Sequence, residues 1–519
     1  MDQFALHAQS VVGSSAGSWF DFTLNNHGTI NVILDKEADR HTDEALIVAL
    51  VADATLLLER IKFAPDAKSD ACNGFFYCDP ATNIWAQEFN GTIEGHIVDA
   101  FSRVDGLTAD DTKHIESRRG RSDMRRILAA KVADKTFLDE LDANLDLFAL
   151  DNGVFDMRPD MRSFRPIRFE DRITTTSGWT YDAMAAIQYR SEVDVFLERV
   201  FPIAEERRVV LTYAAHLLSG RRTVKKFLVL TDRRAGNNGK STFAKLLGRF
   251  FGGLAKSSTK FVCKGSFEAH RDSHDASLEP FKGKRLLVAE ELKHNMTLDD
   301  AMLKAYSGGE DTIVEGRRCG SAQTFKYVWQ AGFLLIFNEG DCPKFDPADQ
   351  AFAERMIVAP MRSKFVRELN DEDEENTFLM DLDIVTKFPM WRSALADVLL
   401  EHGDLQVLLS VPASMREWRQ GMVEAANPLS AWLEERILVT GQRTDFIVMG
   451  ELKGVYNKFV EDTRQRLVAQ NEFQKLAQSF LRALPGVTFK EQDNVRSKSA
   501  RNVLRGITME PLFLEDDSV

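Results

Sequence analysis

Residues Ala235-Gly236-Asn237-Asn238-Gly239-Lys240-Ser241-Thr242 combine what is needed to hold a chain of phosphates. Small residues let backbone N–H groups converge on the anion, and Gly236 and Gly239 supply the backbone freedom. Lys240 brings a neutralising cation and Ser241 a hydroxyl able to hold Mg²⁺. The run departs from the G-x-x-x-x-G-K-[ST] pattern at its first position, where Arg234 replaces glycine. Such a loop calls for a carboxylate at the end of a neighbouring strand, to order the metal and activate water. The apolar run RLLVAEE (Arg285–Glu291) ends on Glu290 and Glu291. A third run, GFLLIFN (Gly332–Asn338), ends on Asn338. Its plain role is a turn before Gly340; its chemical role would be a hydrogen bond to a terminal phosphate or to attacking water.

These residues need elements that bring them together. The strand-like KFLVLT (Lys226–Thr231) precedes the loop and the helix-like STFAKLLGRFFGG follows it, which is the context that gives the loop meaning. The three apolar runs are continuous rather than alternating, and predict a parallel sheet covered by helices on both faces. Upstream, FFYCDPATNIWAQ (Phe75–Gln87) reads as two strands joined by a turn, and residues 152–175 as short strands punctuated by Asn-Gly and Pro. A helix-like run from Glu116 to Leu150 carries two basic clusters, Arg118, Arg119 and Arg121, then Arg125 and Arg126. A solvated helix face is the plain reading and nucleic-acid contact the alternative. Asp182–Glu198 reads as a polar helical linker, Arg367–Asn376 as a solvated acidic segment, and Trp391–His402 and Ser414–Ala425 as helices. From Asn427 three helices, a strand near Val487–Lys490, a basic turn and a last strand follow the order of a winged-helix module. Arg482, Lys490, Arg496, Lys498, Arg501 and Arg505 face only Glu491 and Asp493 across residues 482–505, which suits duplex DNA or equally a solvated face.

The chain has 519 residues, enough for about three to five domains. With 44% apolar and 28% charged residues it is globular and not disordered. Its net charge of −13 argues against coating nucleic acid with the whole surface, so a polyanion site must be local. Five scattered cysteines (Cys72, Cys78, Cys263, Cys319, Cys342) fit a reducing compartment, and no second Cys/His pair supports zinc at Cys72 and Cys78. The N-terminal MDQFALHAQ lacks signal-peptide features, and the apolar run Ala45–Leu58 is interrupted by Asp53 and shorter than the ~20 residues that cross a bilayer. The expectation is a soluble, intracellular protein, in the cytoplasm or at a viral replication site, with no membrane partner.

The succession GNNGKSTF, KRLLVAEEL, LKAYSGGEDTIVEGR, FLLIFNEGDCP and DPADQAFAERMIV resembles superfamily 3 helicases, and more closely the D5-like primase-helicases of poxvirus and satellite-phage type. The resemblance covers Val193 to Phe365 and extends upstream through LFALDNGVFDMRPDMRSFRPIRFEDRITTTSGWTYD. It implies an α/β, AAA+-type P-loop ATPase core with an α+β N-terminal domain and a C-terminal winged-helix-like domain. The expected divisions are an N-terminal helicase-associated domain (1–185), the helicase core (186–370), a helical connector (371–426) and the winged-helix-like domain (427–519).

Carried over residue by residue, the resemblance places ATP on Gly236, Asn237, Asn238, Gly239, Lys240, Ser241 and Thr242, with Mg²⁺ held by Ser241 and by Glu290 or Glu291. It makes Asn338 the sensor and Arg355 an arginine that reaches a neighbouring subunit's nucleotide, after Asp349; the family's first arginine is replaced by Glu354. Lys304, Ser307, Gly308, Gly309 and Glu310 match a further motif, with Glu310 for the usual Asp. The stretch after it corresponds to a pore hairpin gripping single-stranded DNA, with Arg317, Arg318 and Lys326 as cations and Tyr327 and Trp329 as stacking aromatics. A primase D-x-D pair with a matching His is missing among Asp21, Asp35 and Asp110-Asp111. The implied protein is an ATP-dependent, hexameric, 3′→5′ helicase acting on single-stranded and forked duplex DNA for a viral, satellite or plasmid-like genome, with a separate primase or polymerase as partner. The alternative is an initiator or scaffold that uses ATP to assemble on DNA without unwinding.

Overall fold

The computed structural model describes residues 60–509 except 65–73, 89–92, 96–103, 106, 160, 233–235, 265–275, 310–311, 318–323, 348, 371–374, 427, 463–472, 475–476, 479, 482–483 and 496–497, together with strands β1 (Phe20–Leu24) and β2 (Ile30–Leu34). The apolar run Ala45–Leu58, Cys72 and Cys319 lie outside the described residues. Strands β3 (Ile61–Phe63), β4 (Phe75–Cys78) and β5 (Trp85–Gln87) form an antiparallel meander, and β6 (Val104–Asp105) pairs with β2. Helix α1 (Ala109–Glu116) opens with a capping box, Thr108 and Asp111 each satisfying the other's backbone N–H. Helix α2 (Arg118–Lys131) separates the basic clusters by environment. Arg125 is buried, its guanidinium forked onto Glu88 at 2.8 and 2.7 Å and stacked over Phe75, whereas Arg119 and Arg126 are exposed. Arg125 is thus a structural cation. The helix-like run also ends earlier than its pattern suggests: after α3 (Phe137–Glu140), Leu147–Leu150 is strand β7, fully buried against β8 (Gly153–Asp156). Asn152-Gly153 makes the turn, and a side chain at Gly153 would strike the Arg165 carbonyl of β9 (Ser163–Arg165) at 2.5 Å.

Helix α4 (Ala183–Val200) begins where Asp182 caps Met184 and Ala185, and it is no linker. Val193, Phe196, Leu197 and Val200 bury one face, next to α5 (Ala204–His216). A five-stranded parallel sheet follows, built from β10 (Phe227–Thr231), β11 (Ala255–Ser257) after helix α6 (Lys240–Phe251), β12 (Leu286–Ala289), and two later strands, β15 (Gly332–Ile336) and β16 (Met356–Pro360). Their order across the sheet is β11-β12-β15-β10-β16, all parallel. Alternate residues feed two cores. Leu228, Leu230, Val288, Leu334 and Ile357 join α4, α5, α6 and a later helix, while Phe227, Val229, Leu287, Phe333 and Val358 join the opposite cluster. Burial on both faces is why these strands read as unbroken apolar runs.

Between β12 and β15 stand α7 (Asp300–Tyr306) and an antiparallel hairpin, β13 (Ile313–Arg317) with β14 (Thr324–Val328). Helix α8 (Gln350–Arg355) leads straight into β16. Strands β17 (Lys364–Val366) and β18 (Thr377–Leu379) pair in parallel around the acidic segment. Helices α9 (Ile384–Glu401) and α10 (Ala413–Ala426) return the chain across both cores, Trp391 packing on Phe196 and Met422 entering the second cluster. The C-terminal segment has its own core around Trp432, Leu452, Tyr456 and Leu504. It comprises α11 (Pro428–Arg436), β19 (Ile437–Val439), β20 (Phe446–Val448), α12 (Met449–Asp462), and the antiparallel pair β21 (Thr488–Val495) and β22 (Lys498–Arg505), closed by β23 (Ile507–Met509). The basic residues from Lys498 to Arg505 therefore form a strand and not the turn expected; Arg505 in it is paired to Asp493 at 2.5 Å.

Buried cations join the β7–β9 unit to the sheet. Arg285, at the start of β12, donates to the Leu147 carbonyl at 2.8 Å and to Gln330, whose amide reaches the Asp142 carbonyl at 2.9 Å. Burial lowers the Arg285 pKa to about 9. Trp179 adds a bond to the Phe250 carbonyl at 2.6 Å. His216 is also buried, and burial with the nearby Arg222 charge pushes its pKa well below the ordinary value. A depressed imidazole pKa means that, as pH falls through about 6.5, the unfolded chain takes up the proton and the folded chain does not. Stability therefore falls on the acid side, by up to about 1.4 kcal/mol per pH unit for this group. We expect the melting temperature of His216→Phe to vary less than wild type between pH 7 and 5; an unchanged slope would exclude His216 as the source.

Candidate nucleotide-phosphate site

The carboxyl ends of β10, β15 and β12 lie side by side, and the candidate residues hang from them. Past Thr231 the backbone reaches Asp232, only 2% exposed, then passes through 233–235. Arg234, the departure from the loop pattern, is outside the described residues. Gly236, Asn237 and Gly239 follow with φ of +88°, +54° and +87°, the left-handed turns that aim consecutive N–H groups to one side. Gly239 is needed for space as well, because a Cβ there would sit 3.2 Å from Phe365 and 3.3 Å from Val200. The loop is further fixed where the Phe365 amide donates to the Asn237 carbonyl at 2.7 Å. Helix α6 starts at Lys240 behind Gly239, which brings no capping side chain; the Lys240 amide meets Asn238 Oδ1 at 3.4 Å, and the following first-turn amides and the positive dipole end face an anion.

An anion already occupies that position. The Lys240 ammonium, 7% exposed, donates to the Asp232 carboxylate, and the Asn238 amide donates to the same oxygen. The other Asp232 oxygen is buried with no hydrogen-bond partner among the described residues. This is the test of fit for a phosphate: the seat holds an oxyanion between the cation and the amide that the loop supplies. Ser241 is exposed at the next position and Thr242 is half-buried.

Glu290 closes β12, half-buried, its carbonyl accepting from Thr259 Oγ1 at 2.7 Å. Glu291 is exposed and left-handed at φ +58°, a conformation costing a non-glycine residue about 1 kcal/mol or more and concentrated at functional sites. Asn338 lies beside the loop, because the next residue, Glu339, donates its amide to the Asp232 carbonyl at 2.9 Å. Its own amide makes a 3.4 Å bond to Asp341 and caps nothing. β12 is two strands from β10, roughly 10 Å at ordinary strand spacing, a gap suited to phosphate, metal and water rather than to direct contact. Among the described residues no cluster of three metal-ligating side chains is preassembled.

A second cluster forms elsewhere. Lys304 pairs with Asp349, and Arg355 donates to the Lys304 carbonyl and to Ser307 Oγ at 3.1 Å. Burial favours protonation of Asp349, but the bonds from Lys304 and from the Phe352 amide outweigh it and hold the carboxyl below its usual value. Burial lowers the Arg355 pKa. Gly308 is required by close approach, since a Cβ would meet Lys225 at 2.3 Å. All this sits at the amino end of the sheet, where Met356 pairs with Phe227. Arg355 is thus separated from its own phosphate loop by the length of β10, about 15 Å. Glu310 and Arg318 lie outside the described residues, and Arg317 closes β13. Lys326 is exposed and pairs with Glu315 across the hairpin at 3.0 Å. Tyr327 and Trp329 are not stacking platforms: both are buried, bonded to the Leu278 and Ala331 carbonyls at 2.7 Å each.

Against known proteins, residues 62–202 match the family model described as D5 N terminal like. The chain is 28% identical over 279 residues to a protein of Acanthamoeba polyphaga mimivirus named "Putative helicase", covering 52% of this chain and 28% of that one. It is 22% identical over 398 residues to one of Invertebrate iridescent virus 6 with the same name, covering 73% and 39%. A third, from Sputnik virophage, is 21% identical over 290 residues, covering 54% and 36%. The chain thus spans less than two-fifths of the length of these relatives. The apo structure of the NrS-1 C-terminal region aligns with 87% of this chain and 98% of its own at 11% identity and a TM-score of 0.41. The resemblance to D5-like primase-helicases is borne out by the family model and the viral relatives together.

Sequence patterns had not marked Asp232; its position between a buried strand and the loop was the available signal. Replacing it with Asn keeps shape and hydrogen bonding while removing the competing charge. Calorimetry should show Asp232→Asn binding inorganic tripolyphosphate about tenfold or more tightly than wild type. Weaker binding would mean instead that the carboxylate serves to hold Lys240 in place.

Proposed function

We propose that this chain is an ATP-hydrolysing, ring-forming DNA helicase of superfamily 3, serving replication of a viral, satellite or plasmid-like genome. The observation carrying this reading is the division of parts between the two ends of one sheet. Lys240, Glu290, Glu291 and Asn338 gather at the carboxyl end, and Arg355 stands at the other, where it cannot serve its own loop. In an AAA+-type ring the second end of one subunit faces the first end of the next. The resemblance to viral helicases supports the same assignment.

In this mechanism the γ-phosphate displaces Asp232 from Lys240, and the amides of Gly236 to Lys240 receive the phosphate oxygens. Mg²⁺, held by Ser241 and Glu290 or Glu291 together with the phosphates, would neutralise their charge. Glu291 or Glu290 takes the proton of the attacking water while Asn338 orients it. Arg355 of the neighbour, released from Ser307 and Lys304, stabilises charge developing on the transferred phosphoryl group, an effect on the order of 10³–10⁵ in rate for such arginines. The hairpin cations Arg317, Arg318 and Lys326 grip single-stranded DNA through its backbone alone, its buried aromatics being unavailable for stacking. Residues 1–185, 186–370, 371–426 and 427–519 serve as helicase-associated domain, motor, connector and winged-helix-like DNA contact, the last supported by the separate core of residues 429–507. A separate primase or polymerase is the natural partner.

One observation favours the scaffold reading: Arg355 is held within its own subunit and follows Glu354 rather than a second arginine. Mixing subunits separates the two. Lys240→Ala and Arg355→Ala should each abolish ATP turnover, and mixing the inactive proteins should restore part of it, since an intact loop then meets an intact arginine across an interface. Mixed rings that stay inactive, or turnover undiminished in Lys240→Ala, would remove the assignment. ATP-dependent separation of a forked duplex by the wild type then decides for helicase over scaffold.

A further inference from the structure

The basic clusters of α2 take no part in nucleotide chemistry, and the structure sorts them by side. Met124, Leu128 and Ala129 are buried with Arg125 and fix one face of the helix. Arg118, Arg119 and Arg126 are exposed on the rest. Arg119 and Arg126 lie seven residues apart, two helical turns, so they share one face at about 10 Å along the axis. Both approach the carboxylate between them, Asp123, at only 4.0 and 3.9 Å, so one negative charge is divided between two positive ones. With 92% and 69% of the arginine side chains exposed, these pairs contribute little. Arg118 opens α2 and Lys113 lies in the last turn of α1, both exposed, so the cations gather about the corner between the helices. That corner is one residue wide and fixed. Ser117 ends α1 and caps α2, its hydroxyl donating to the His114 carbonyl at 2.7 Å and accepting from the Gly120 amide at 2.9 Å, and a Cβ at position 120 would strike the same carbonyl.

This placement opposes the helix's own electrostatics. The amino end of a helix carries the positive end of the dipole and favours Asp or Glu, yet the first turn of α2 has no acidic residue and begins with Arg118 and Arg119, Arg121 following. A local rule broken in this way is characteristic of functional positions. Neither helix contains Phe, Tyr or Trp, and among the described residues neither exposes a large apolar side chain. A protein partner would call for an apolar centre, and single-stranded DNA for aromatic platforms on which bases stack. The corner offers charge alone, which suits the phosphates on the outside of a duplex. We propose that the α1–α2 corner holds the backbone of duplex DNA, without regard to sequence, through Lys113, Arg118, Arg119 and Arg126. The inference rests on the reading of this chain as a DNA-acting protein but not on its phosphate loop. It adds a duplex contact in residues 109–131 to the single-strand contact assigned to the hairpin, and the two together suit a fork.

The test is equilibrium binding of the full chain, without nucleotide, to a blunt DNA duplex and to oligothymidylate over a range of salt. Replacing Arg118, Arg119 and Arg126 together by Gln should weaken duplex binding about tenfold or more at low salt and flatten the plot of log K against log salt by about 2 to 3, since each phosphate contact contributes about 0.9. Asp123→Asn shifts the charge in the opposite sense and should tighten duplex binding severalfold, a gain that no loss of folding can imitate. In both variants oligothymidylate binding should match wild type, which also shows an intact fold. An unchanged duplex affinity and salt slope in the triple variant, an equal loss on oligothymidylate, or weaker duplex binding by Asp123→Asn would each overturn the proposal. Failure of the motor reading looks different: the duplex results would stand while ATP drives no separation of a forked duplex.

Discussion

A parallel sheet buried on both faces is the constraint on which the rest of this molecule depends. Parallel neighbours cannot be joined by tight turns, so each strand must be reached by a crossover, and all carboxyl ends emerge on one edge. The chain passes through β11, β12 and β15 toward β10 and then jumps beyond it to β16. Ligand crevices in open α/β sheets form where the strand order reverses, outside the carboxyl ends. The loop after β10 lies at that place. Glu290 and Asn338 arrive there because their strands run the same way, and Arg355 is kept away because it precedes β16 instead of ending a strand.

Charge is handled by the same economy of position. The seat at the start of α6 is electropositive from helix amides and Lys240, and Asp232 fills it. A buried lysine without a counter-ion would be costly, so the carboxylate stabilises the loop and would oppose an anion competing for the same place. Arg285 and Arg125 show the other use of buried cations, one tying β7 to the sheet and one tying α2 to the β3–β5 meander. The overall charge of −13 does not conflict with nucleic-acid binding on this arrangement, since the cations that face a polyanion need only be local, while Arg125, Arg285 and Arg505 are committed to partners within the fold.

The elements around the sheet serve it unequally. Alternation along β14 turns Phe325 and Tyr327 into the core and leaves Lys326 outside, so a strand that reads as basic with interleaved aromatics has a packed face and a wet one. Gly308 is present because the chain passes close to Lys225 there, and Gly309 because its φ is +133°, reasons of packing and backbone independent of any ligand.

Local chemistry sufficed for much of this. The glycine-rich turn after β10, three buried strands, the Asn152-Gly153 turn and the helices expected at Trp391–His402 and Ser414–Ala425 were legible because apolar runs, glycine spacing and helical period are properties of neighbouring residues. Other features depend on distant partners. Leu147–Leu150 continues a helical pattern yet becomes a strand because β8 and Arg285 claim its backbone. Residues 183–200 look polar in sequence, but a stripe of Val193, Phe196, Leu197 and Val200 suffices to bury the helix against α9. The sequence alone determined that a glycine-rich loop with Lys240 stands at a strand end, with carboxylates and an asparagine at the ends of others. Tertiary structure decided that Asp232 occupies the seat, that Arg355 lies at the far end of the sheet, and that Arg125 is buried on Glu88 while Arg118, Arg119 and Arg126 stay exposed. Each of these rests on contacts between residues too far apart along the chain for any local pattern to register them.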